Sequence, residues 1–330
     1  MTKARPTVLL ISGGIGVERD VSLRGAAAVL GYIDPEKYNV TAVTVEKDGS
    51  WLTEGEEAVF PVRLGNQRGL LIGGKIRPVD CAIPLLHGEF GEDGRIQGTL
   101  EVAGIPLIGA DTVTGAVCID KGYTRAIAHS LGIPTARGVS LPAGADTEAA
   151  MLAAEELGYP VFVKPTRLGS SVGASEARTE SELAHAFTRA RVYGTGVLIE
   201  ELVTDKRELE VGVLATKNGT VISPVGEVIC HGFYDYGTKY RTGAPTVCPA
   251  DIDPEIAATV REYAARLADA LSLRGPSRID LFLSGDRLLF NEVNTMPGFT
   301  AGSLYPQLMT AAGIPPRRLF DLLISEAVGA

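Results

Sequence analysis

Arg278-Ile-Asp-Leu-Phe-Leu-Ser-Gly-Asp-Arg287 followed by Leu288-Leu-Phe-Asn-Glu-Val-Asn-Thr295 is the stretch around which the chain is organised, and it runs on through Gly298 to Ser303. Two β-rich runs, Arg278 to Leu283 and Arg287 to Val293, flank a turn at Ser284-Gly285-Asp286 and read as a hairpin. A strand places alternate residues on one face, so Glu292 and Asn294 project together. Asp280 joins them only if even positions pair with even ones, which calls for a three-residue loop or a bulge rather than a two-residue turn. Two carboxylates and an amide oxygen converging in this way form a hard-oxygen site suited to Mg2+ held between protein and phosphate. An edge hairpin with its polar face in water shows the same alternation, so the rest of the chain has to decide.

The chain has 330 residues, enough for two or three domains each with its own core. A hydrophobic content of 45% with 22% charged residues is ordinary for a globular protein. The net charge of −9 argues against nucleic acid or an anionic membrane as the main partner, while leaving room for an anionic small molecule in a cleft where basic residues gather. Cys81, Cys118, Cys230 and Cys248 are widely spaced among apolar neighbours, so buried free thiols in a reducing compartment are expected. The apolar run Val8 to Ile11 is too short for a signal-peptide core, and no run reaches the length of a membrane helix. A cytoplasmic location is the expectation.

The first third alternates strands and helices. Thr7 to Ser12 reads as a strand turning through Gly13-Gly14-Ile15-Gly16 into a helix from Val17 to Leu30. Further strands are expected at Tyr38 to Val45, Cys81 to Leu86 and Ile105 to Ile108, giving a parallel sheet with helices on its faces. Glu46 to Arg77 looks less regular. A helix carries Lys121, another spans Thr147 to Leu157, and a strand follows at Val161 to Lys164. Thr179-Glu-Ser-Glu182 is a capping box opening a helix to Arg191, and Val197 to Glu201 is a strand. Glu208 to Thr216 and Thr220 to Val228 form a hairpin turned by Asn218-Gly219, a type I′ signal. A Gly/Tyr-rich loop runs from His231 to Pro249. Asp253-Pro254 then caps a helix with Ile256, Val260, Leu267 and Leu271 on one stripe.

Several shorter motifs are candidates for chemistry. Lys164-Pro-Thr-Arg-Leu-Gly-Ser-Ser-Val-Gly173 is a Gly/Ser loop at a strand end; its backbone N–H groups and the hydroxyls of Ser170 and Ser171 can wrap phosphate oxygens beside the Lys164 charge. It lacks the Gly-Lys-Ser/Thr of a Walker A loop, and a surface loop has similar composition. Val197-Leu-Ile-Glu200-Glu201, running on to Val203, is an apolar strand ending in acids, suited to framing a purine and its ribose or simply to leaving the core. Lys121 reads by spacing as a solvated helix-surface charge. His87-Gly-Glu-Phe-Gly-Glu-Asp-Gly94 leaves a strand end, where ligands of open α/β sheets collect, which sets His87 above the helix-surface His129 and His185. Glu18 stands at a helix N-terminus, where the dipole stabilises any carboxylate.

Taken together and in order, these motifs resemble the ATP-grasp superfamily, and within it the D-alanine–D-alanine ligase family. The resemblance rests on Glu18-Arg-Asp-Val-Ser22, His87-Gly with Gly91-Glu-Asp-Gly94 and Gln97-Gly98, Lys164-Pro with Gly169-Ser-Ser-Val-Gly173, Lys239-Tyr240, Arg278-Ile-Asp280 and Asn291-Glu-Val-Asn-Thr-Met-Pro-Gly298, and it spans essentially the whole chain. It implies an α/β chain of the three-domain α+β ATP-grasp class. An N-terminal parallel-sheet domain (1–116) would be joined to a small central domain (117–203) and a C-terminal domain (204–330), the last two sandwiching ATP. By this resemblance Lys121, Lys164, Ser170, Ser171, Lys239 and Asn291 would face ATP phosphates, and Glu200, Glu201, Val203 and Glu208 the adenine and ribose. Asp280, Glu292 and Asn294 would hold two Mg2+ ions, with Mn2+ a substitute. Glu18 would bind the ammonium of the first D-alanine, and His87 would lie near its carboxylate. Ser170 and Tyr240 would join Glu18 in a hydrogen-bonded triad. Arg278 and the Gly298 backbone would stabilise an oxyanion, and Ser303 and Leu304 would meet the second D-alanine. A homodimer is carried over from the family in the same way.

Three positions depart from the family pattern. Gly16 stands where a serine is usual, Gly302 where a larger residue is common, and Thr204-Asp-Lys-Arg207 is one residue longer, which leaves the ribose assignment open between Glu208 and Glu210. The activity implied is ATP-dependent joining of two D-alanines through an acyl phosphate. A ligase with D-serine, D-lactate or another acceptor, and a regulatory nucleotide binder without turnover, stay open from the sequence. A dinucleotide-dependent dehydrogenase is weaker, because Arg19 occupies the third glycine position of its fingerprint.

Overall fold

The computed structural model describes residues 5–229 and 244–329. The chain begins with β1 (Thr7–Gly13), α1 (Arg19–Tyr32), β2 (Asn39–Val45), β3 (Trp51–Thr53), β4 (Val59–Leu64), β5 (Gln67–Ile72), β6 (Lys75–Pro78), β7 (Cys81–Pro84) and α2 (Arg95–Val102). β1 lies inside a sheet of order β3-β2-β1-β7, parallel to both neighbours. Val8, Leu9, Leu10 and Ile11 are all essentially inaccessible, as a strand covered on both faces requires. Val8 and Leu10 enter one core and Leu9 and Ile11 another, on the opposite face of the sheet.

Two expectations change here. Ile105 to Ile108 does not form a fourth strand: Pro106 has no N–H, and the pairing stops at a single bridge between Ala82 and Leu107. The segment Glu46 to Arg77, which looked irregular, holds β3 and a three-stranded antiparallel sheet, β4-β5-β6. Its short alternating runs bury only Val59, Leu70 and Ile72 deeply, against the second core.

α3 (Thr112–Cys118), α4 (Lys121–Ser130), β8 (Gly138–Leu141), α5 (Thr147–Leu157), β9 (Val161–Pro165), β10 (Ser175–Ala177), α6 (Glu180–Arg191) and β11 (Val197–Glu201) follow. Their antiparallel sheet has the order β10-β9-β11-β8 and carries α5 and α6 over its own apolar core. The Thr179 hydroxyl accepts from the Glu182 N–H at 3.3 Å, but the Glu182 carboxylate reaches back to Arg178 N–H (2.7 Å), one residue earlier than in a regular capping box.

The chain closes with β12 (Lys206–Thr216), β13 (Gly219–Val228), β14 (Thr246–Val247), α7 (Pro254–Ala270), β15 (Gly275–Ser284), β16 (Arg287–Asn294), α8 (Leu304–Ala311) and α9 (Pro316–Val328). The sheet has the order β14-β13-β12-β15-β16. Thr216 pairs with Gly219, so the β12–β13 connection is Lys217-Asn218. The positive φ, +122°, falls on Gly219, after the loop rather than inside it, so this is not the type I′ turn expected. The β15–β16 hairpin meets the parity condition. Ser284 pairs with Arg287 across a two-residue turn, and a bulge then shifts the register so that Asp280 pairs with Glu292 and Arg278 with Asn294. Asn291 is the extra residue.

α8 packs on β12 and β13 of its own sheet, and together with α9 it also reaches the first sheet. Tyr305, Phe320 and Leu323 pack into the core that holds Val8, Leu10 and Ile83. Phe320 is almost wholly buried, 6.1 Å from the Tyr32 ring centre and 5.2 Å from that of Phe299. Phe320→Ala is expected to lower stability by about 3–5 kcal/mol, the range for emptying a buried phenylalanine site. Urea unfolding of the two proteins measures it.

Candidate active site

A cavity of about 480 Å3 opens between the β10-β9-β11-β8 sheet and the β12–β15–β16 hairpins. Its wall includes Lys121, Lys164, Ser170, Ser171, Glu200, Glu201, Val203, Glu208, Asp280, Asn291 and Glu292. Residues that stand far apart in the chain and were singled out for one chemistry thus share one wall. Phe162, Leu202, Leu281 and Phe282 add apolar surface that the sequence reading did not single out.

The basic groups are buried and each leans on an acid. Lys164 rises from β9; its Nζ lies 2.6 Å from Glu200 Oε2 and donates to Asn291 Oδ1 at 3.2 Å. Burial lowers the Lys164 pKa, and the Glu200 charge works against that. Lys121, expected on a helix surface, is instead 8% exposed at the first turn of α4. The loop after β9 folds over it: the Lys121 N–H donates to Thr166 O (2.9 Å), and Nζ donates to Leu168 O (2.8 Å) and sits 3.1 Å from Glu292. Arg278 grips Asp280 with two bonds of 2.7 Å and lies 3.1 Å from Glu210. Burial alone would weaken its charge; Asp280 and Glu210 more than offset that and hold its pKa well above the ordinary value.

Glu208 and Glu210 both line the cavity but occupy different surroundings. Glu208 pairs across the sheet with Phe282 and ionically with Lys206 at 2.9 Å, whereas Glu210 stands opposite Asp280. Asn294 Nδ2 donates to Asp280 Oδ2 at 3.0 Å. Asp280, Glu292 and Asn294 thus converge, with oxygen-rich chemistry that fits Mg2+. Among the described residues no group of three or more His, Cys, Asp or Glu is arranged to hold a metal by itself. A cation here would take its remaining oxygens from phosphate and water, the habit of Mg2+ rather than of a caged structural metal.

A second group adjoins the first. Glu18 is the N-cap residue of α1 but makes no capping hydrogen bond. Its Oε1 instead accepts from the Ser170 hydroxyl, and both residues are buried. Ser170 and Ser171 take φ values of +53° and +58°, an uncommon left-handed pair that shapes the loop around Glu18. Gly88 and Gly169 stand close to the same carboxylate: added Cβ atoms would lie 2.1 and 3.1 Å from Glu18 Oε2. His87 is half-buried, its Nε2 3.9 Å from where a Cβ on Gly25 of α1 would lie. Gly298 and Ser303 close a tight turn before α8, since a Cβ on Gly298 would fall 2.7 Å from Ser303 Oγ. The Leu304 side chain packs with Val228 and Leu308, which leaves its backbone for any polar contact. Glu18, His87, Arg278, Asn294, Gly298, Ser303 and Leu304 do not line the 480 Å3 cavity. Lys239 and Tyr240, with residues 231–243 of the His231 to Pro249 loop, lie outside the described residues, as does Cys230. Cys81 and Cys118 are buried free thiols as expected, while Cys248 is only half-buried.

The sequence matches the family models described as "D-ala D-ala ligase N-terminus" over residues 7–110 and "D-ala D-ala ligase C-terminus" over residues 127–325. The chain belongs to the D-alanine–D-alanine ligase family. A D-alanine–D-alanine ligase of Deinococcus radiodurans is 41% identical, the match covering 97% of this chain and 98% of the relative. Among solved structures, D-alanyl-alanine synthetase A of Vibrio cholerae superposes with a TM-score of 0.90 at 31% identity, covering 100% of both chains. The VanG D-Ala:D-Ser ligase of Enterococcus faecalis superposes at 0.88 and 32% identity, covering 98% of this chain and 100% of that one. The mixed α/β architecture is that of the ATP-grasp ligases. No helix among the described residues is long and apolar enough to cross a membrane.

One residue of this family member escaped the sequence reading although its motif was quoted. Glu92 is buried, and its two oxygens accept from the Gly88 N–H (2.9 Å) and the Met296 N–H (3.0 Å), tying the loop after β7 to the turn after β16. Burial pushes its pKa up to about 7; the Glu18 and Glu292 charges act in the same direction and the two N–H donors oppose them. The folded carboxyl therefore keeps its proton where an unfolded one, at its ordinary 4.5, has lost it, and stability falls as the pH rises from 4.5 to 7. Glu92→Gln is expected to flatten that fall, worth on the order of 3 kcal/mol. Urea midpoints of metal-free protein at both ends of the window check this, and an unchanged slope would remove Glu92 as its source.

Proposed function

We propose that the chain is an ATP-dependent ligase that joins two D-alanines into D-alanyl-D-alanine for peptidoglycan precursors. The observation that carries this reading is the arrangement of Arg278, Asp280, Glu292 and Lys121 in one cluster, its cations buried and its acids half-buried, beside the Glu18–Ser170 pair. A nucleotide binder without turnover would have no use for so costly a set of buried charges. The division into units 1–116, 117–203 and 204–330 belongs to the same reading, as do a homodimer and a cytoplasmic setting.

In the first step a D-alanine carboxylate oxygen takes the γ-phosphoryl of ATP and ADP leaves, giving an acyl phosphate. In the second, the amine of the other D-alanine attacks the acyl carbon, and phosphate leaves from a tetrahedral state. Lys121, Lys164 and the Ser170–Ser171 loop hold phosphate oxygens, while Glu200, Glu201, Val203 and Glu208 frame the adenosine. Asp280, Glu292 and Asn294 would hold two Mg2+ ions, which would supply positive charge to offset that of the phosphates. Glu18 anchors the ammonium of the first D-alanine, with His87 toward its carboxylate. Arg278 and the Gly298 N–H face the oxyanion, and Ser303 with the Leu304 N–H receives the second carboxylate at the start of α8. Lys239, Tyr240 and Asn291 complete the phosphate and hydroxyl contacts.

A D-Ala:D-Ser ligase is the second reading, favoured by the likeness to the Enterococcus faecalis enzyme and by Gly302, where an added Cβ would meet nothing within 4 Å. Phosphate release from ATP with Mg2+ and D-alanine alone, with D-alanyl-D-alanine identified by mass spectrometry, is the outcome expected. Release only with D-alanine plus D-serine would favour the second reading, and ATP binding without release would overturn both. Arg278→Ala is expected to lower kcat by about 100-fold or more with a smaller change in KM for ATP. Equal losses in both would remove it from the tetrahedral state.

A further inference from the structure

Four residues after Lys121, on the same face of α4, stands Arg125, a buried guanidinium that the reaction above does not use. Its Nη1 donates to Glu200 Oε1 at 2.5 Å and its Nη2 to Ala136 O at 2.6 Å. Glu200 Oε2 meanwhile holds Lys164 Nζ at 2.6 Å. One carboxylate on the cavity wall is therefore clamped between the Arg125 guanidinium and the Lys164 ammonium. All three side chains are nine-tenths or more buried. An independent feature points the same way. Gly138 of β8 does not need a glycine for its backbone angles, yet a Cβ there would lie 2.9 Å from Glu200 Cγ, 2.9 Å from Ile199 O and 3.0 Å from Arg125 Nη2. The strand leaves out a side chain where the Arg125–Glu200 pair crosses it.

We infer that Arg125, seated against Gly138, is a positioning residue that fixes the Glu200 carboxylate as the reader of the purine 6-amino group. The inference rests on the nucleotide-site reading of the cavity. When a triphosphate draws Lys164 away, Glu200 keeps a counter-charge and one orientation, because the guanidinium holds it from the protein side with two contacts that a lysine cannot both make. An ionised oxygen held in place accepts a bond from the 6-amino group of adenine. It repels the 6-carbonyl oxygen of a hypoxanthine nucleotide, which offers no donor there. Without Arg125 the carboxylate is free to turn, which lets the 6-oxo base in.

The test is the ratio of Kd for inosine triphosphate to Kd for ATP, measured by calorimetry with Mg2+ on the wild-type protein and on Arg125→Met, Arg125→Lys and Gly138→Ala, with Tm recorded for each. The wild type is expected to prefer ATP by at least tenfold. Arg125→Met should cut that preference about tenfold, chiefly by weakening ATP. Arg125→Lys should fall between, and Gly138→Ala should follow Arg125→Met although Arg125 remains. A role confined to stability would lower Tm and leave the ratio unchanged, which overturns the inference, as would a wild-type ratio near one. D-alanine-dependent phosphate release by the wild type, measured separately, tells failure of the ligase reading apart from failure of this one.

Discussion

The site depends on one extra residue in one strand. The β15–β16 hairpin begins with a two-residue turn, and in that register Asp280 and Glu292 would point to opposite faces of the sheet. The bulge at Asn291 changes the parity and brings Arg278, Asp280, Glu292 and Asn294 into facing pairs. It also turns the extra side chain toward Lys164, so the irregularity that aligns the acids supplies a contact to the neighbouring sheet. A bulge is a local fault in a ladder of hydrogen bonds; here the ladder on either side, flanked by the buried Ile279, Leu281 and Phe290, holds it in place.

Around that point the cleft keeps opposite charges together. Lys121 rests on Glu292, Lys164 on Glu200, and Arg278 on Asp280 and Glu210. Isolated ions in such surroundings would neutralise or draw in water. Each here faces a group of opposite sign, which offsets part of that cost. A protein with a net charge of −9 can in this way offer a site for a polyanion, because the local pairing matters more than the sum.

Much of this was legible in the sequence. The helix Thr147–Leu157 was readable as a helix, Glu180–Arg191 announced its Thr179 cap, the strand Val197–Glu201 its apolar run, and the hairpin its need for a parity change. What stayed hidden depended on partners far along the chain. Lys121 looked solvated because nothing local shows that the loop 166–168 folds over it. Glu92 sat inside a quoted motif, but one of its two donors, the Met296 N–H, lies 204 residues away. The β4-β5-β6 sheet was missed because its strands are short and mostly exposed, so they carry little apolar periodicity. Arg125 left one unused sign, its i, i+4 spacing from Lys121, which puts both cations on the same side of α4.

The shared core of β1, β7, α8 and α9 bears on the order of events during synthesis. Val8 and Leu10 are made long before the side chains from Tyr305 to Ile324, which complete the cover of that face begun by Ala26 and Val29 of α1 and by Ile33 at its end. The opposite face, with Leu9 and Ile11, closes much earlier against α2 and the small sheet. Until α8 and α9 have been made, part of the apolar face with Val8 and Leu10 stays uncovered, a surface of the kind that chaperones bind. The central unit, whose core draws only on residues between Val139 and Ile199, is free to close while the rest is still being made.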